Sequence, residues 1–324
     1  MIQPCGCGAA LSVLQMATCR QHNGAQAFPP GVRRLLVLRN PFLLAALIVI
    51  AAAILVARQV AGPHEATLVS RLERGEALRV GYAIEAPFAF LMPDGTVSGE
   101  APEVFREVLH EQGYTRIEWL HAEFGSLLHE LASGRVDAIA CGMFITPERA
   151  RSFRFTRPTA VVRTGLLVRS GNPKGLHSLA DIAASSDAHL AVVDGAVEYG
   201  QAVEAGVPAG RLTALPDPAA AISALVQGRV DGFALSEVSL RYLLTTEPSG
   251  RLELAVPFGS AADDALAGRP AFVFRKSDEV FAARVDQTLD RYLGSPAHRA
   301  LVARFGFGDA QMPPVERRSA GVVR

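Results

Sequence analysis

Short apolar runs alternate with amphipathic segments along most of the chain from residue 77 onward. The runs have the length of buried strands, and the segments between them repeat apolar residues every three or four positions, as helices do. We predict strands at residues 78–84, 117–120 and 136–140, with helices at 103–112 and 126–133. This βαβα order is typical of a mainly parallel α/β sheet with helices on both faces.

The same order recurs further along the chain, with predicted strands at 189–193 and 230–235 and helices at 197–205 and 219–227. A short sequence is also repeated, at residues 131–140 and 225–234. Each copy contains a helix end, a glycine suited to a left-handed cap, and a strand that starts with an aspartate. Many α/β proteins contain a helix, a glycine and a strand in this order. The matching places in two successive series nevertheless predict two similar lobes.

The N-terminal part carries a membrane signal at residues 41–57, seventeen positions without a charge that follow three arginines between residues 33 and 39. At 1.5 Å per residue this is roughly 25 Å of helix, close to the thickness of the hydrocarbon core. The arginines predict that the preceding side stays in the cytoplasm and that the chain after Arg58 is exported. A cleaved signal peptide is the alternative, although Leu55 and Gln59 are too large for the usual cleavage pattern.

The composition is that of an ordinary globular protein, with 32 Lys and Arg, 32 Asp and Glu and 49% hydrophobic residues. A net charge of zero argues against general binding to nucleic acid. Three of the four cysteines lie before residue 20, so Cys141 has no partner in the body of the chain. We therefore expect neither a disulfide nor a cysteine-rich metal site there.

A helix start follows the predicted strand at 136–140, and it points to an anion site. Thr146 is a suitable N-cap, Pro147 suits the first helical position, and Glu148 falls in the first turn. Arg149 then lies where the helix dipole disfavours a cation, unless it faces an anion such as a ligand carboxylate. The alternatives are a solvated arginine or one paired with Glu148 or Asp137.

Aromatic residues follow three of the predicted strands. Phe88, Phe124 and Phe144 all leave strand ends on the rim that carries Arg149, together with the carboxylate of Glu85. Open α/β sheets bind their ligands beyond the carboxyl ends of strands. These residues would suit a small zwitterion with a positive or delocalised face.

No enzyme motif competes with this interpretation, since a phosphate loop, a nucleophile elbow and a histidine pair at metal spacing are all missing. We expect no catalytic residue, metal or cofactor. Glu85 with Glu237 is the one acid pair that could be nominated for proton transfer.

Several motifs together resemble the family 3 extracellular solute-binding proteins, the amino-acid-type receptors of ABC importers. They are Gly-Arg-Val-Asp-Ala at 134–138, Thr146-Pro147-Glu148-Arg149-Ala150 after Gly142, and Phe155-Thr156-Arg157-Pro158. The turns at 85–88, 94–104 and 142–144 are similar to those of the ectoine and hydroxyectoine branch. The resemblance runs from about residue 78 to 307 and implies two lobes, joined by two hinge strands, that close over a ligand.

Carried over by residue, the resemblance implies that Arg149 holds the ligand carboxylate and that Glu85 meets its cationic side. Phe88, Phe124 and Phe144 would form apolar walls. Lobe two would add its turns, which contain Val197, Glu198, Ser236 and Glu237. The family usually has an aspartate where Ser236-Glu237 stand and a hydroxyl where Val197 stands, so a cyclic or methylated zwitterion remains an alternative to ectoine.

The resemblance also implies the domain organisation, a two-lobed type II periplasmic-binding-protein fold of the α/β class after an N-terminal membrane or signal helix. We expect an N-terminal segment at 1–40, the membrane helix at 41–57, a linker at 58–75, lobe one at 76–166 and 271–307, lobe two at 167–270, and a tail at 308–324.

The function that follows is that of a periplasmic, membrane-tethered monomer that captures a small zwitterion and delivers it to an ABC permease, without binding nucleic acid. The same fold also serves as a sensor input domain or as a cyclohexadienyl-dehydratase-like enzyme. A sensor needs a cytoplasmic module, for which residues 308–324 are too short.

Overall fold

The computed structural model describes residues 67–246, 250–259 and 267–313, together with Ala45. Within these residues no helix is both long and apolar enough to cross a membrane. The predicted membrane helix at 41–57 lies outside the described residues, apart from Ala45. All the elements below belong to one compact unit, residues 63–324.

The first lobe is built on a five-stranded sheet. Its strands are β1 (Leu78–Tyr82), β4 (Ile117–His121), β5 (Ala138–Ile139), β6 (Phe153–Phe155) and β13 (Val273–Arg275), in the order β4-β1-β5-β13-β6. The strands β4, β1 and β5 run parallel, whereas β13 is antiparallel to both of its neighbours. The strands β2 (Phe90–Leu91) and β3 (Val97–Ser98) form a separate two-stranded hairpin.

Helices cover this sheet. They are α1 (Leu68–Glu73), α2 (Glu100–Glu111), α3 (Leu127–Ala132), α4 (Pro147–Ser152), α9 (Glu279–Tyr292) and α10 (Pro296–Ala303). The helix α2 buries Ala101, Val104, Phe105 and Val108, which recur at the spacing of one helical face. It begins three residues before the predicted start, because Pro102 falls in the first turn, where a missing N–H costs no helical hydrogen bond.

The second lobe has a sheet of the same design. Its strands are β7 (Val162–Arg169), β8 (Leu190–Val193), β9 (Leu212–Leu215), β10 (Gly232–Ser236), β11 (Leu252–Leu254) and β12 (Ala267–Gly268). The order is β11-β7-β10-β8-β9, with β12 also paired to β7. The strands β10, β8 and β9 run parallel, and β7 is antiparallel to β10. Its helices are α5 (Leu179–Ala184), α6 (Val197–Glu204), α7 (Pro218–Val226) and α8 (Glu237–Thr246).

Two segments cross between the sheets. The outgoing segment is 156–161, because β7 is one continuous strand of the second sheet from Val162 onward. This crossing comes earlier than the predicted boundary near residue 166, which lies inside β7. The chain returns between β12 and β13. The sheet of the first lobe is therefore built from two separate stretches of the chain, because β13 at Val273–Arg275 pairs with β5 and β6.

Both ends of the described chain pack on the lobes. The predicted linker at 58–75 contains the helix α1, whose N-cap Thr67 accepts a hydrogen bond from the Ser70 amide. Leu68 and Leu72 of α1 are buried in the core of the first lobe. Gln311 belongs to the predicted tail, and its carbonyl accepts a hydrogen bond from the Val161 amide of the outgoing crossing at 2.9 Å. The tail therefore contacts the crossing segment.

The repeated sequence occupies the same place in both lobes. Gly134 and Gly228 adopt the predicted left-handed conformation, with φ of 76° and 72°. The aspartate that follows then binds the start of the neighbouring parallel strand. Asp137 accepts from the Arg79 amide at 3.2 Å, and Asp231 accepts from the His189 amide at 3.0 Å.

An arginine from the antiparallel strand completes each cluster. Arg275 of β13 donates to the Val136 carbonyl and to Asp137, at 2.6 and 3.1 Å. Arg169 of β7 donates to Val230 and Asp231, at 2.8 and 3.0 Å. We call these groups the lobe-one clamp (Asp137 with Arg71, Arg79 and Arg275) and the lobe-two clamp (Asp231 with Arg169 and Lys174).

Candidate ligand-binding cleft

A small cavity of about 20 Å³ lies where the carboxyl ends of strands from both sheets meet. Six of the predicted residues line it, namely Glu85, Phe124, Phe144, Arg149, Val197 and Glu198. Gly142, which follows β5, and Leu235 of β10 also contribute. A space of this size holds about one water molecule. The two lobes are therefore closed on each other around these side chains.

Arg149 bridges the lobes from the start of α4. The predicted cap is confirmed, since the Thr146 hydroxyl accepts from the Arg149 amide at 3.2 Å. The guanidinium donates from Nη1 to the Phe144 carbonyl at 2.7 Å, and from Nη2 to the Gly195 carbonyl of lobe two at 2.6 Å. Burial lowers the pKa of Arg149 below its usual value.

Neither alternative partner holds the Arg149 side chain, because its guanidinium bonds to the two carbonyls and Asp137 belongs to the lobe-one clamp. Among the described residues Arg149 forms no ion pair with a carboxylate. Its guanidinium carbon lies 5.9 Å from the centre of the Phe124 ring. Arg149 thus presents a half-buried cation whose present partners are neutral carbonyl oxygens, which a ligand carboxylate can replace.

The lobes approach each other closely at two glycines beside this bond. A Cβ atom on Gly195, whose φ is 73°, would lie 2.8 Å from the Gly125 Cα atom across the cleft. A Cβ atom on Gly125 would lie 2.6 Å from the Asp194 carboxylate. A larger residue at Gly195 would press on the Gly125 backbone, and one at Gly125 would require the Asp194 side chain to move.

Glu85 also joins the lobes. Its Oε1 atom accepts from the Ser239 hydroxyl at 2.8 Å and from the Ser236 hydroxyl at 3.3 Å, both from lobe two. Burial raises the pKa of Glu85 to about 7, and the two serine hydrogen bonds oppose that rise. Ser236 therefore reaches the site through Glu85.

Glu198 brings a second acid from the lobe-two side. It is the second residue of α6, it is 2% exposed, and it lines the small cavity. Burial, followed by repulsion from Glu85, raises the pKa of Glu198 to about 8. Two carboxyl groups and one guanidinium therefore share a closed site, and a cationic group on a ligand would favour the charged form of both acids.

The predicted acid pair of Glu85 and Glu237 is not brought together. The Glu237 side chain pairs with Arg241 one turn along α8, at 2.5 Å, and does not line the cavity. Glu198 takes the place beside Glu85 instead. The pattern of residues does not distinguish Glu198 from Glu237, because both follow strand ends of lobe two.

The three aromatic residues have different positions. Phe124 and Phe144 line the cavity, and the backbone of Phe144 pairs with Pro270 of the returning crossing. Phe88 is 1% exposed and does not line the cavity. Its ring packs edge-on against those of Phe144 and Phe307, with distances of 6.5 and 5.4 Å between ring centroids. Phe88 therefore supports the wall that Phe144 forms.

A larger pocket of about 380 Å³ opens beside the small cavity and shares Glu85 and Phe124 with it. Residues 83–86 and 121–124 of lobe one line it, together with residues 216–219, Ile222 and Leu243 of lobe two. Sequence reasoning missed its lobe-two wall. Asp217 and Pro218 could have indicated it, because they repeat the cap and first-turn proline of Thr146 and Pro147 after another strand.

Other chemistry is limited in the described part of the chain. No group of three or more His, Cys, Asp or Glu residues in that part could hold a metal ion. Cys141 is a free, buried thiol next to the site, and burial raises its pKa to about 12. A thiol in this state is a poor nucleophile.

Comparisons with known proteins agree with this architecture. The sequence profile of the bacterial extracellular solute-binding proteins, family 3, matches residues 78–309. A probable amino-acid ABC transporter periplasmic-binding protein, y4tE of Sinorhizobium fredii, is 30% identical over 234 residues, which are 71% of this chain and 77% of the relative.

Solved structures have the same fold. The crystal structure of EhuB in complex with hydroxyectoine superposes with a TM-score of 0.70 at 30% identity, covering 74% of this chain and 92% of EhuB. A mutant of ArgBP from T. maritima has a TM-score of 0.65 at 19% identity, covering 74% and 98% of the two chains. The ArgBP likeness is evidence for the fold alone.

Proposed function

The chain belongs to the bacterial extracellular solute-binding proteins of family 3, and on that premise we propose that its cleft binds a small zwitterion through Arg149. Proteins of this family capture a solute outside the cytoplasm for an ABC importer. The described site supports a ligand that carries a carboxylate at one end and a cationic or delocalised group at the other. Ectoine-like and amino-acid-like compounds both fit that description.

The observation that carries this proposal is the position of Arg149. Its guanidinium is half-buried between the lobes and donates to neutral carbonyl oxygens at 2.6 and 2.7 Å. A ligand carboxylate that replaces the Gly195 carbonyl would form charge-assisted hydrogen bonds, which are about twice as strong as neutral ones. Phe124, Phe144 and Val197 would then cover the apolar faces of the ligand, and Glu85 and Glu198 would face its cationic side.

The test begins with a thermal-shift screen of ectoine, hydroxyectoine and the standard amino acids, followed by calorimetry on the compound that raises Tm most. We expect Arg149→Ala to cost roughly 3 to 5 kcal/mol of binding free energy, because it leaves the ligand carboxylate buried and unpaired. Arg149→Lys should recover part of the loss, since lysine keeps the charge but not the planar fork.

Arg135→Ala is the matched control, because the side chain of Arg135 is 76% exposed and lies outside the cavity. It should bind as the unaltered protein does. Near-native affinity of a folded Arg149→Ala variant would contradict the carboxylate assignment.

The aromatic wall provides a second measurement. Phe144→Ala should weaken binding by about 2 kcal/mol, because the ligand loses apolar contact with the ring and any cation–π attraction. Phe153→Ala serves as the control, since Phe153 is a partly buried phenylalanine of β6 outside the cavity. Unchanged affinity for Phe144→Ala in calorimetry would assign Phe144 to the core alone.

We further propose that the protein is a receptor and does not transform its ligand. Glu85 and Glu198 could exchange protons, but Glu85 is engaged by Ser236 and Ser239, and the buried Cys141 thiol is unreactive. A ligand that raises Tm should therefore be recovered unchanged by NMR after prolonged incubation. Conversion of the ligand that Glu85→Gln abolishes would favour the dehydratase-like alternative.

Residues 41–57 provide the basis for a proposal on localisation. We propose that this uncharged segment stays attached and tethers a monomeric receptor on the outer side of the cytoplasmic membrane. Expressed at full length, the protein should pellet with membranes and extract as a monomer in detergent. A soluble periplasmic form starting near Gly62 would mean that the segment is cleaved.

A further inference from the structure

Two serines of the second lobe form a chain of hydrogen bonds that ends on Glu85. Ser236 is the last residue of β10 and Ser239 is the third residue of α8, so the pair stands at the start of that helix. The Ser236 hydroxyl donates to the Ser239 hydroxyl at 2.8 Å, and the Ser239 hydroxyl donates to Oε1 of Glu85 at 2.8 Å. The Ser239 amide in turn donates to the Ser236 hydroxyl at 3.4 Å.

Ser239 is the principal donor of the two. A hydroxyl has one proton to donate, and the Ser236 hydroxyl lies closer to that of Ser239, at 2.8 Å, than to Glu85, at 3.3 Å. When Ser236 donates to Ser239, it polarises the Ser239 hydroxyl and strengthens the bond from Ser239 to Glu85. Both serines are fully buried, so water does not compete for these hydroxyls.

The chain of hydrogen bonds crosses from one lobe to the other. Glu85 follows β1 of lobe one, whereas both serines belong to lobe two, so separation of the lobes breaks the bond from Ser239. Closure takes Glu85 out of water, which disfavours its charged form. Burial raises the pKa of Glu85 to about 7, and the bond from Ser239 opposes this rise more than the bond from Ser236 does. The serines therefore restore part of what closure removes.

Both serine bonds end on the same carboxylate oxygen, Oε1 of Glu85. A carboxylate has lone pairs on two oxygens, so a carboxylate that is held at Oε1 can still accept a donor at Oε2. Glu85 also lines the small cavity, whereas Ser239 does not. Ser239 can therefore act on a bound ligand through Glu85.

We propose that Ser239 is a positioning residue, whose hydroxyl holds Oε1 of Glu85 as the lobes close, so that Oε2 meets the cationic group of the ligand. Recognition of the cation is then conditional on closure. This inference rests on the proposed function, in which Glu85 faces the cationic side of the ligand. It goes further, because it assigns a role in ligand binding to a residue outside the cavity.

The test compares Ser239→Ala with Ser98→Ala. Ser98 is the matched control, because its buried hydroxyl also donates to a glutamate, Glu103 at 2.9 Å, but within lobe one and away from the cavity. Ectoine, L-proline and L-arginine are the probes in calorimetry, since each joins a carboxylate to a cationic N–H group. Circular dichroism and apo Tm check that the variants fold.

The first readout is affinity near neutral pH. We expect Ser239→Ala to weaken each probe that the unaltered protein binds by roughly tenfold, the usual scale for a hydrogen bond to a charged group. Ser236→Ala should weaken the same probes about threefold, because it removes the longer bond and the support of Ser239. Ser98→Ala should stay within about twofold of the unaltered protein.

The second readout is the pH profile of affinity, which a merely structural contact would not move. Glu85 must lose its proton to pair with a cation, so affinity falls on the acid side of its pKa. Loss of the Ser239 hydroxyl raises that pKa, so the acid limb should move to higher pH in Ser239→Ala, move less in Ser236→Ala, and stay in place in Ser98→Ala. The other ionisable groups around Glu85 remain in every variant, and they are Glu198, Arg149, Cys141, His121, Glu123 and Asp217.

Two outcomes would overturn this inference alone. Full affinity of Ser239→Ala would mean that Glu85 needs no positioning, and a loss that is equal at every pH would make Ser239 a structural contact between the lobes. The proposed function would survive either result. If Ser239→Ala does not fold, the acid limb of Ser236→Ala decides in the same way. Failure of every probe at millimolar concentration, or binding that Arg149→Ala leaves intact, would overturn both proposals together.

Discussion

The lobe-one and lobe-two clamps occupy equivalent positions, but they differ in the number of cations. In both, an aspartate at the start of a strand binds the amide of the next parallel strand and an arginine from the antiparallel strand. Asp137 has three arginines and a side chain with 0% exposure. Asp231 has one arginine and one lysine, and its side chain is 11% exposed.

The difference shows which part of a repeated motif is local. The Gly-Arg-Val-Asp sequence fixes the backbone contacts that both lobes share, because they involve the strand next to the motif. The additional cations come from more distant segments. Arg71 comes from α1, and Lys174 lies in the loop before α5. The two clamps should therefore differ in energy although their sequences match.

The lobe-one clamp should show the larger effect. Asp137→Ala leaves three arginines around an empty site, and loss of one partner of a buried ion pair typically costs about 3 to 5 kcal/mol. We expect a loss of the free energy of unfolding in this range, measured by urea denaturation. A loss below about 1 kcal/mol would mean that the arginines relax into solvent without penalty.

Asp231→Ala should cost less, about 1 to 2 kcal/mol, because Asp231 pairs with two cations instead of three and its side chain is 11% exposed instead of fully buried. The same urea experiment gives the comparison directly. Equal losses for Asp137→Ala and Asp231→Ala would show that the shared backbone contacts, and not the number of cations, determine the energy of a clamp.

The smallest expected effect is the pH dependence near neutrality, and it contrasts the clamps with the cleft. Burial raises the pKa values of Glu85 and Glu198 from 4.5 to about 7 and about 8. Between pH 4.5 and about 8 the folded protein therefore binds more protons than the unfolded chain. Stability should therefore fall modestly as pH rises from about 5 to 8, since opening of the cleft rehydrates both acids.

Glu85→Gln with Glu198→Gln should remove this slope in a series of apo Tm measurements. The clamp acid behaves in the opposite way, because its arginines lower the pKa of Asp137 to about 2 against the opposing effect of burial. The stabilisation that it contributes is present above about pH 4 and is lost as pH falls toward 2. A neutral slope that persists in the double variant would point to other groups.

Much of the fold was predictable because the pattern of apolar residues reports local burial. The predicted strands at 117–120 and 189–193 are present, and so is the helix start at Thr146. The place where the chain changes sheets was not predictable, because the residues of β7, with Arg163 and Thr164 after Val162, are compatible with a strand of either sheet. Membership of a sheet depends on distant partners, which a local pattern does not contain.

The site was predictable in outline for the same reason. Strand ends placed Glu85, Phe124, Phe144 and Arg149 on one rim, and all four line the cavity. Phe88 differs because two backbone hydrogen bonds between Glu85 and Ala89 close its turn, and its ring packs in the core. No pattern of apolar and polar positions distinguishes that turn from the one that exposes Phe124.

The bond from Arg149 to the Gly195 carbonyl joins the two lobes through the same guanidinium that we propose as the ligand anchor. A ligand carboxylate would therefore exchange a direct contact between the lobes for a contact with itself, and the gain in binding free energy would be the difference between a charged and a neutral acceptor. The side chain that selects the ligand would then be the same one that ties the lobes together.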